Sequence, residues 1–386
     1  MRLLVVGHSY LTAFAQSKYS AMKDASPDLQ IRIVCPPKMG HLFSDYKRQI
    51  APEFSLTEVP AIKTLFGKTP MTYCLDPLRF AQEIKEFMPD HIHIEEDPYS
   101  VIGLESILLA RLICKKTKIS FFVWDNLARN PRFPLNKLKW YLNSISQRHA
   151  DLIVCGNHEG AQLLRSQKGY KGQIVVLPQL GINEKDYLKP PMYEVSSLFQ
   201  RDSNIPLIGF IGRLVPEKGI ILLLQALSNL VDLPWKLLIV GSGPLKSQIQ
   251  SPWKDFFRER LILVDAVSHT MVPQYLGCLD IVVLPSYGIP RWKEQFGLIL
   301  AQAMMAGVPC IGSSSGAIPD VLGPGGIVFK EGDIESLKDA LKILLESRDE
   351  RERLGKKGKA FALQHYTNQV VARAYLDVFL NIKRNN

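Results

Sequence analysis

A chain of 386 residues with 46% apolar side chains is too long for one ordinary domain and holds enough hydrophobic material for two or three full cores. Its six cysteines stand singly, against a disulfide framework or a zinc cluster and for a reducing cytoplasm, while no apolar run reaches the length of a membrane span or of a signal-peptide core. The net charge of +10 is uneven, with 25 Lys and Arg against 18 Asp and Glu over residues 1–190 (+7) and 22 against 19 over the rest (+3), which suits phosphate-bearing partners or an anionic lipid surface and equally an ordinary solvated surface.

Arg2–Val6 reads as a buried strand running into a turn at Gly7-His8-Ser9, in the manner of a first Rossmann strand; His8 and Ser9 either face a ligand or form a simple turn. A helix around Ala21–Lys23 and a strand over Gln30–Cys35 follow, and the charged segment Lys38–Pro70 shows strand-like pieces without a clear period. Pro77–Phe87 has helical spacing, Pro89 stops it, and His91–Ile94 is the next strand. Glu95, Glu96 and Asp97 then stand at that strand's carboxyl end, where an open parallel sheet holds its ligands. They have two uses: Glu96 as a group for ligand hydroxyls, and Asp97 or Ser100 as the cap of a helix over Val101–Cys114. Ile119–Val123 leads to Trp124-Asp125-Asn126. Arg129–Arg148 interleaves basic and aromatic residues, fitting either anionic lipid headgroups or a solvated helix. Strand Asp151–Cys155 and a helix from Glu159 complete this half, and the aperiodic stretch Pro190–Asn204 is the expected domain boundary.

Ile205–Phe210 restarts the alternation and leads into IGRLVPEKGIILLLQAL, where Gly212 permits a sharp turn, Arg213 projects from it and Lys218 stands at the start of the next helix. Two cations five residues apart across a strand-to-helix turn can both reach one diphosphate, Arg bidentately and Lys as a point charge. The bland alternative pairs Arg213 with Glu217 and leaves Lys218 solvated. Trp235–Val240 leads to GSGP, and strands Leu261–Val264 and Asp280–Pro285 follow. The stretch Arg291–Gly312 sets a charged and aromatic cluster against a short apolar helix, with Glu294 where the loop meets the first turn. Helix starts favour oxygen-rich or anionic ligands, Gly297 admits a ligand close to the backbone, and Gly307 suits a left-handed helix end. Helices over Glu335–Glu346 and Glu350–Ile382 close the chain. Strands alternating with helices through both halves predict two parallel sheets.

The segment PSYGIPRWKEQFGLILAQAMMAGVPCIGSSSGAIPDVLGPGGIVFKEGD resembles the C-terminal half of retaining nucleotide-sugar glycosyltransferases of family four, the glycosyl transferases group 1. Their signature is a Glu, seven residues and a second Glu, with Phe-Gly after the first; here Glu294, Phe296 and Gly297 match and Gln302 takes the second Glu position. The resemblance implies the α/β fold called GT-B, two Rossmann-like domains with parallel sheets facing across a cleft and a C-terminal helix crossing back. Residues 1–190 with about 368–386 would bind the acceptor, and 191–367 the donor. It implies Arg213, Lys218 and Glu294 as catalytic residues, and Gly212, Arg213, Lys218, Glu294, Phe296, Gly297, Leu298 and Gln302 as binding a UDP- or GDP-sugar, with no metal and no further cofactor. Where relatives carry a His after the strand before Trp124, this chain has Asn126; His8, Glu96 and Asn126 are thus the acceptor-side candidates. Gln302, eight residues past Glu294, is expected on the same helix face. Its amide keeps a hydrogen bond to the ribose but forfeits about 1 kcal/mol of charge assistance.

The expected reaction is transfer to a glycan or lipid-linked acceptor in polysaccharide or cell-envelope synthesis, in the cytoplasm or at the membrane's inner face, with no nucleic acid partner. Rival readings are a nucleotide-sugar epimerase and a catalytically weak scaffold for a partner transferase. A dinucleotide-dependent oxidoreductase is disfavoured because no strand is followed by the spaced glycine fingerprint.

Overall fold

The computed structural model describes residues 1–10, 12–37, 55–63, 72–128, 134–166, 170, 172–188, 192, 195 and 205–382. Most of Lys38–Pro70, residues 129–133 and almost all of the expected boundary at Pro190–Asn204 lie outside them. The chain divides into two compact units, Met1–Gly181 with Asn368–Asn386, and Ile182–Thr367.

Unit 1 is built on seven parallel strands: β1 (Arg2–Val6), β2 (Gln30–Cys35), β3 (Ser55–Glu58), β6 (His91–Ile94), β7 (Lys118–Val123), β8 (Leu152–Cys155) and β9 (Gln173–Val176), in the order β3-β2-β1-β6-β7-β8-β9. Between them, β4 (Ala61–Lys63) and β5 (Tyr73–Leu75) form a separate antiparallel pair. β1, β6, β7 and β8 are buried along nearly their whole length because helices cover both faces of a parallel sheet. The helices are α1 (Ala13–Ala25), α2 (Pro77–Phe87), α3 (Val101–Ile113), α4 (Pro134–His149) and α5 (His158–Ser166). α1 begins eight residues before the expected Ala21: its buried face includes Gln16 and Lys18, polar side chains that hide the apolar period, and Thr12 caps it by accepting from Ala15 N–H at 3.3 Å. Ser100 rather than Asp97 caps α3, its Oγ accepting from Gly103 N–H at 3.0 Å.

Unit 2 repeats the plan with six parallel strands, β10 (Leu207–Ile211), β11 (Lys236–Val240), β12 (Leu261–Val264), β13 (Ile281–Leu284), β14 (Cys310–Ser313) and β15 (Gly326–Phe329), in the order β12-β11-β10-β13-β14-β15. The helices that matter below are α6 (Ile220–Ser228) after β10 and α7 (Leu298–Ala306) between β13 and β14. α8 (Ile334–Glu346) and α9 (Arg348–His365) close this unit. The last helix, α10 (Asn368–Leu380), belongs to unit 1, where Tyr375 and Phe379 pack on the imidazoles of β6, with Phe379 4.4 Å from His91 and 5.0 Å from His93 between ring centroids.

Candidate functional site

In unit 2 the chain leaves β10, passes Arg213 and makes one turn of 3₁₀ helix, Pro216–Lys218, before Gly219 admits it to α6. Gly219 has φ +71°, and a Cβ there would stand 1.9 Å from the Pro285 carbonyl oxygen, so this turn presses directly on the end of β13. Gly212 has no positive φ, and a Cβ there would meet nothing closer than Phe210 at 4.0 Å. The sharp turn expected of Gly212 is therefore made by Gly219. Tyr287 N–H donates to the Glu217 carbonyl at 3.0 Å, tying the two loops together.

That packing brings Lys218 to Glu294. Lys218 Nζ lies 2.6 Å from Glu294 Oε2, and the same oxygen accepts from Ser286 Oγ at 2.8 Å. Lys218 also stands 4.9 Å from the centroid of the Trp292 ring, a cation–π contact. The pair is mostly shielded, with side-chain exposures of 17% for Lys218 and 7% for Glu294. Arg213 is exposed, and among the described residues its guanidinium forms no ion pair, so the Arg213–Glu217 alternative is not what the structure contains.

Glu294 lies on the loop and not on the helix. Gly297, at φ +82°, is the residue that turns the chain into α7, whose first backbone N–H groups have no intrahelical acceptor. Glu294 and Gln302 therefore do not share one helix face, a correction to the eight-residue argument, which assumed continuous helix between them. Gln302 is buried in α7 and hydrogen-bonded with the Tyr187 hydroxyl, whose ionisation burial makes far harder. Phe296 packs edge-on against Tyr366 at 5.7 Å between centroids, Leu298 opens α7, and Gly307, at φ +81°, ends it left-handed.

In unit 1 the structure joins His8 and Glu96. Glu96 Oε1 accepts from the His8 backbone N–H at 2.8 Å and lies 2.6 Å from His8 Nδ1. Burial alone would lower the imidazole pKa, but the Glu96 carboxylate and its hydrogen bond, with Asp97 adding to them, leave it raised above the ordinary 6.5. Asn126 is buried, its amide 3.3 Å from Glu159 Oε2 at the start of α5. Beneath His8, Glu95 is sealed inside the unit: Lys18 Nζ donates to Oε1 at 2.8 Å, the Tyr19 hydroxyl donates to the same oxygen, and Gln179 Nε2 donates to Oε2 at 2.7 Å.

Sequence reasoning passed over Ser286, Trp292, Tyr187 and Lys18. Ser286 and Trp292 flank Glu294 within the quoted segment and gain meaning only through the fold. The Lys18–Glu95 contact joins residues 77 apart, and nothing in either local pattern announces it.

Residues 197–361 match the family model described as glycosyl transferases group 1. The matched stretch lies wholly within unit 2. The chain is 26% identical over 304 residues to the sulfoquinovosyl transferase SQD2 of Arabidopsis thaliana, covering 75% of this chain and 56% of that protein. It is 26% identical over 208 residues to the N-acetyl-alpha-D-glucosaminyl L-malate synthase of Bacillus anthracis, covering 53% of each. The chain thus spans about half the length of these curated relatives. Among solved structures it is similar to a sucrose-phosphate synthase of Thermosynechococcus elongatus, with a TM-score of 0.74 and 17% identity over 98% of both chains. It is also similar to the Anabaena protein HepE in complex with UDP, with a TM-score of 0.71 and 16% identity over 98% of this chain and 100% of that one. These likenesses establish the GT-B fold for the chain.

Proposed function

We propose that this chain is a group 1 glycosyltransferase that moves a sugar, with retention at the anomeric carbon, from a UDP- or GDP-sugar to a hydroxyl of a glycan or lipid-linked acceptor. The observation that carries the reading is the Lys218–Glu294 pair at 2.6 Å, set between the Gly219 turn and the start of α7, with Arg213, which forms no ion pair among the described residues, a few residues upstream. Breaking the bond between the anomeric carbon and the phosphate oxygen leaves the electron pair on the diphosphate and positive character on carbon. Arg213, Lys218 and the open N–H groups of α7 offset the first charge. Glu294, already held by Lys218 and Ser286, accepts hydroxyls of the sugar. Gly212, Gly297 and Leu298 supply backbone at close approach, Phe296 holds the loop from behind through Tyr366, and Gln302 with Tyr187 contacts the ribose. The cations in this scheme belong to the chain, so chelators leave turnover unchanged.

On unit 1, His8, Glu96 and Asn126 serve the acceptor. Lys137, Leu138, Trp140 and Tyr141, exposed and within one turn of each other on α4, set basic and apolar side chains together. This surface rests on anionic lipid, which carries a lipid-linked acceptor to the enzyme. Among the described residues no helix is long and apolar enough to cross a membrane.

The test is a heat-unfolding screen with UDP-, GDP- and ADP-sugars. One nucleotide class raises the transition of the native protein and fails to raise that of Lys218→Met; protection that survives in Lys218→Met and Arg213→Ala alike overturns the donor site. Product stereochemistry decides retention, and flotation with phosphatidylglycerol vesicles but not with phosphatidylcholine vesicles decides the lipid surface.

A further inference from the structure

We propose that Ser286 and Ser313 form a hydroxyl relay that positions the Glu294 carboxylate, so that two buried serines set the grip on the transferred sugar without touching the nucleotide. This rests on the donor-site reading above and adds two positioning residues to it.

The relay begins in the register of the sheet. β13 and β14 are parallel neighbours with Leu284 opposite Gly312, so Pro285 and Ser286 leave the sheet beside Ser313. Ser313 ends β14 and pairs in register with Phe329 of β15, and the next N–H, that of Ser314, donates to the Phe329 carbonyl at 2.8 Å. From this anchored position the Ser313 hydroxyl donates to the Ser286 carbonyl, while Ser313 Oγ accepts from the Ser315 N–H at 3.3 Å. The Ser286 hydroxyl in turn donates to Glu294 Oε2 at 2.8 Å. Each hydroxyl has one proton to give, and both protons point along the loops in the direction of the carboxylate. Bonds aligned in this sense polarise one another, and the last one ends on a charged acceptor, which strengthens it further. Ser286 and Ser313 have no exposure at all, so water does not compete for these bonds.

The segment around Ser286 also fixes the other partner of Glu294. A Cβ on Gly219 would stand 1.9 Å from the Pro285 carbonyl oxygen, and Tyr287 N–H donates to the Glu217 carbonyl at 3.0 Å. The residues on either side of Ser286 therefore press on the turn that carries Lys218. Those contacts are made by backbone and survive the loss of the Ser286 hydroxyl. The backbone of Glu294 is held separately, its carbonyl accepting from Ala317 N–H at 3.1 Å. What Ser286 Oγ adds is the direction of the carboxylate itself, because it and Lys218 Nζ, at 2.6 Å, reach Oε2 from different loops. When a diphosphate draws Lys218 Nζ toward itself, the serine contact stays, and Glu294 keeps its aim at the sugar hydroxyl. Without that contact the carboxylate can follow the ammonium, and the sugar loses an acceptor at a fixed place.

The experiment compares Ser286→Ala and Ser313→Ala with the native protein. Calorimetry reads UDP affinity, and a kinetic assay reads release of UDP from UDP-glucose to water; GDP and GDP-mannose are run beside them. Ser286→Ala binds the nucleoside diphosphate as the native protein does but loses roughly 10-fold or more in kcat/KM, and Ser313→Ala loses roughly 2- to 5-fold in the same direction. In a Glu294→Ala background Ser286→Ala costs nothing further, because the carboxylate it positions is gone; a serine needed only for the fold adds its full loss there too. Thermal transitions are followed alongside, and should Ser286→Ala lower its own, Ser313→Ala, which leaves the Ser286 hydroxyl in place, carries the test. Native kcat/KM in both variants, equal losses in nucleotide affinity and kcat/KM, or a further loss in the double variant overturns the relay and leaves the transfer reading standing. A native protein that neither binds these nucleotides nor releases them overturns the transfer reading and the relay's role with it.

Discussion

The two units each hold a lysine–glutamate contact of nearly equal length, 2.8 Å between Lys18 and Glu95 and 2.6 Å between Lys218 and Glu294, and the two do opposite work. Lys18 and Glu95 have no side-chain exposure at all, and protein groups take every turn around them: Tyr19, Gln179, the His93 ring at 3.4 Å and the Tyr375 ring, 4.0 Å from the lysine nitrogen to its centroid. Burial alone would raise the Glu95 pKa, but Lys18 and His93 hold it far below the ordinary carboxylate range. Lys218 keeps part of its surface open to solvent, and Arg213, five residues before it, forms no ion pair among the described residues. An ion pair sealed on all sides can only hold a fold; one that water reaches can exchange its partner for a ligand. Exposure and unpaired neighbours, not the ion pair itself, separate structural from ligand-binding charge.

The sharpest way to break that comparison is to cut each pair in turn. Glu95→Ala leaves an unpaired buried ammonium and costs unit 1 about 3–5 kcal/mol in urea unfolding. Glu294→Ala costs unit 2 only about 1–2 kcal/mol, because water reaches Lys218, and lowers turnover by roughly 10²–10³-fold. Equal stability losses in the two variants contradict the distinction.

Arg213→Ala and Lys218→Met come next. In the proposed donor site each removes a charge-assisted contact to the diphosphate worth about 1.5–3 kcal/mol, read as roughly 10- to 100-fold weaker UDP or GDP binding by calorimetry. The matching change in unit 1, Lys18→Met, leaves nucleotide affinity untouched.

Acid resistance sharpens the same contrast. Burial holds the imidazoles of His91 and His93 below 6.5, and in the unfolded chain they return to that value. Both groups have folded pKa values depressed below unfolded ones, so their stabilisation is present above pH 6.5 and drains away as the pH falls below it. Glu95 has the same sign, with loss starting below its ordinary 4.5. Hydrogen exchange of the β6 amides should therefore speed up from about pH 6.5 downward, and His91→Phe should flatten the first part of that response. A response to acid that begins only below 4.5 contradicts the role of the histidines.

The alternation of elements was legible because strands such as LIGFI and LIVC are apolar throughout and glycines or prolines stand at their ends. The position of α1 was not, since Gln16 and Lys18 point inward. For the candidate site, residue type and local spacing singled out Arg213 and Lys218, and the resemblance singled out Glu294 beside them. Their supports were not: Ser286 reaches Glu294, Gly219 meets Pro285 and Tyr187 meets Gln302 only after the sheet has ordered the loops. The expectation that Gln302 shares a helix face with Glu294 failed for one local reason, the left-handed Gly297 between them.

The smallest effect concerns that residue. Gln302→Glu restores a charge-assisted acceptor for a ribose hydroxyl and should tighten UDP or GDP by about 1 kcal/mol; unchanged or weaker binding removes Gln302 from the ribose contact.

The central claim is that Arg213, Lys218 and Glu294 together hold one nucleotide sugar, and a crystal soaked with the donor selected in the heat-unfolding screen tests it most directly. The account predicts the diphosphate against the Arg213 guanidinium and Lys218 Nζ, with a sugar hydroxyl on Glu294. A nucleotide seated elsewhere, with Lys218 still closed on Glu294 at 2.6 Å, contradicts it.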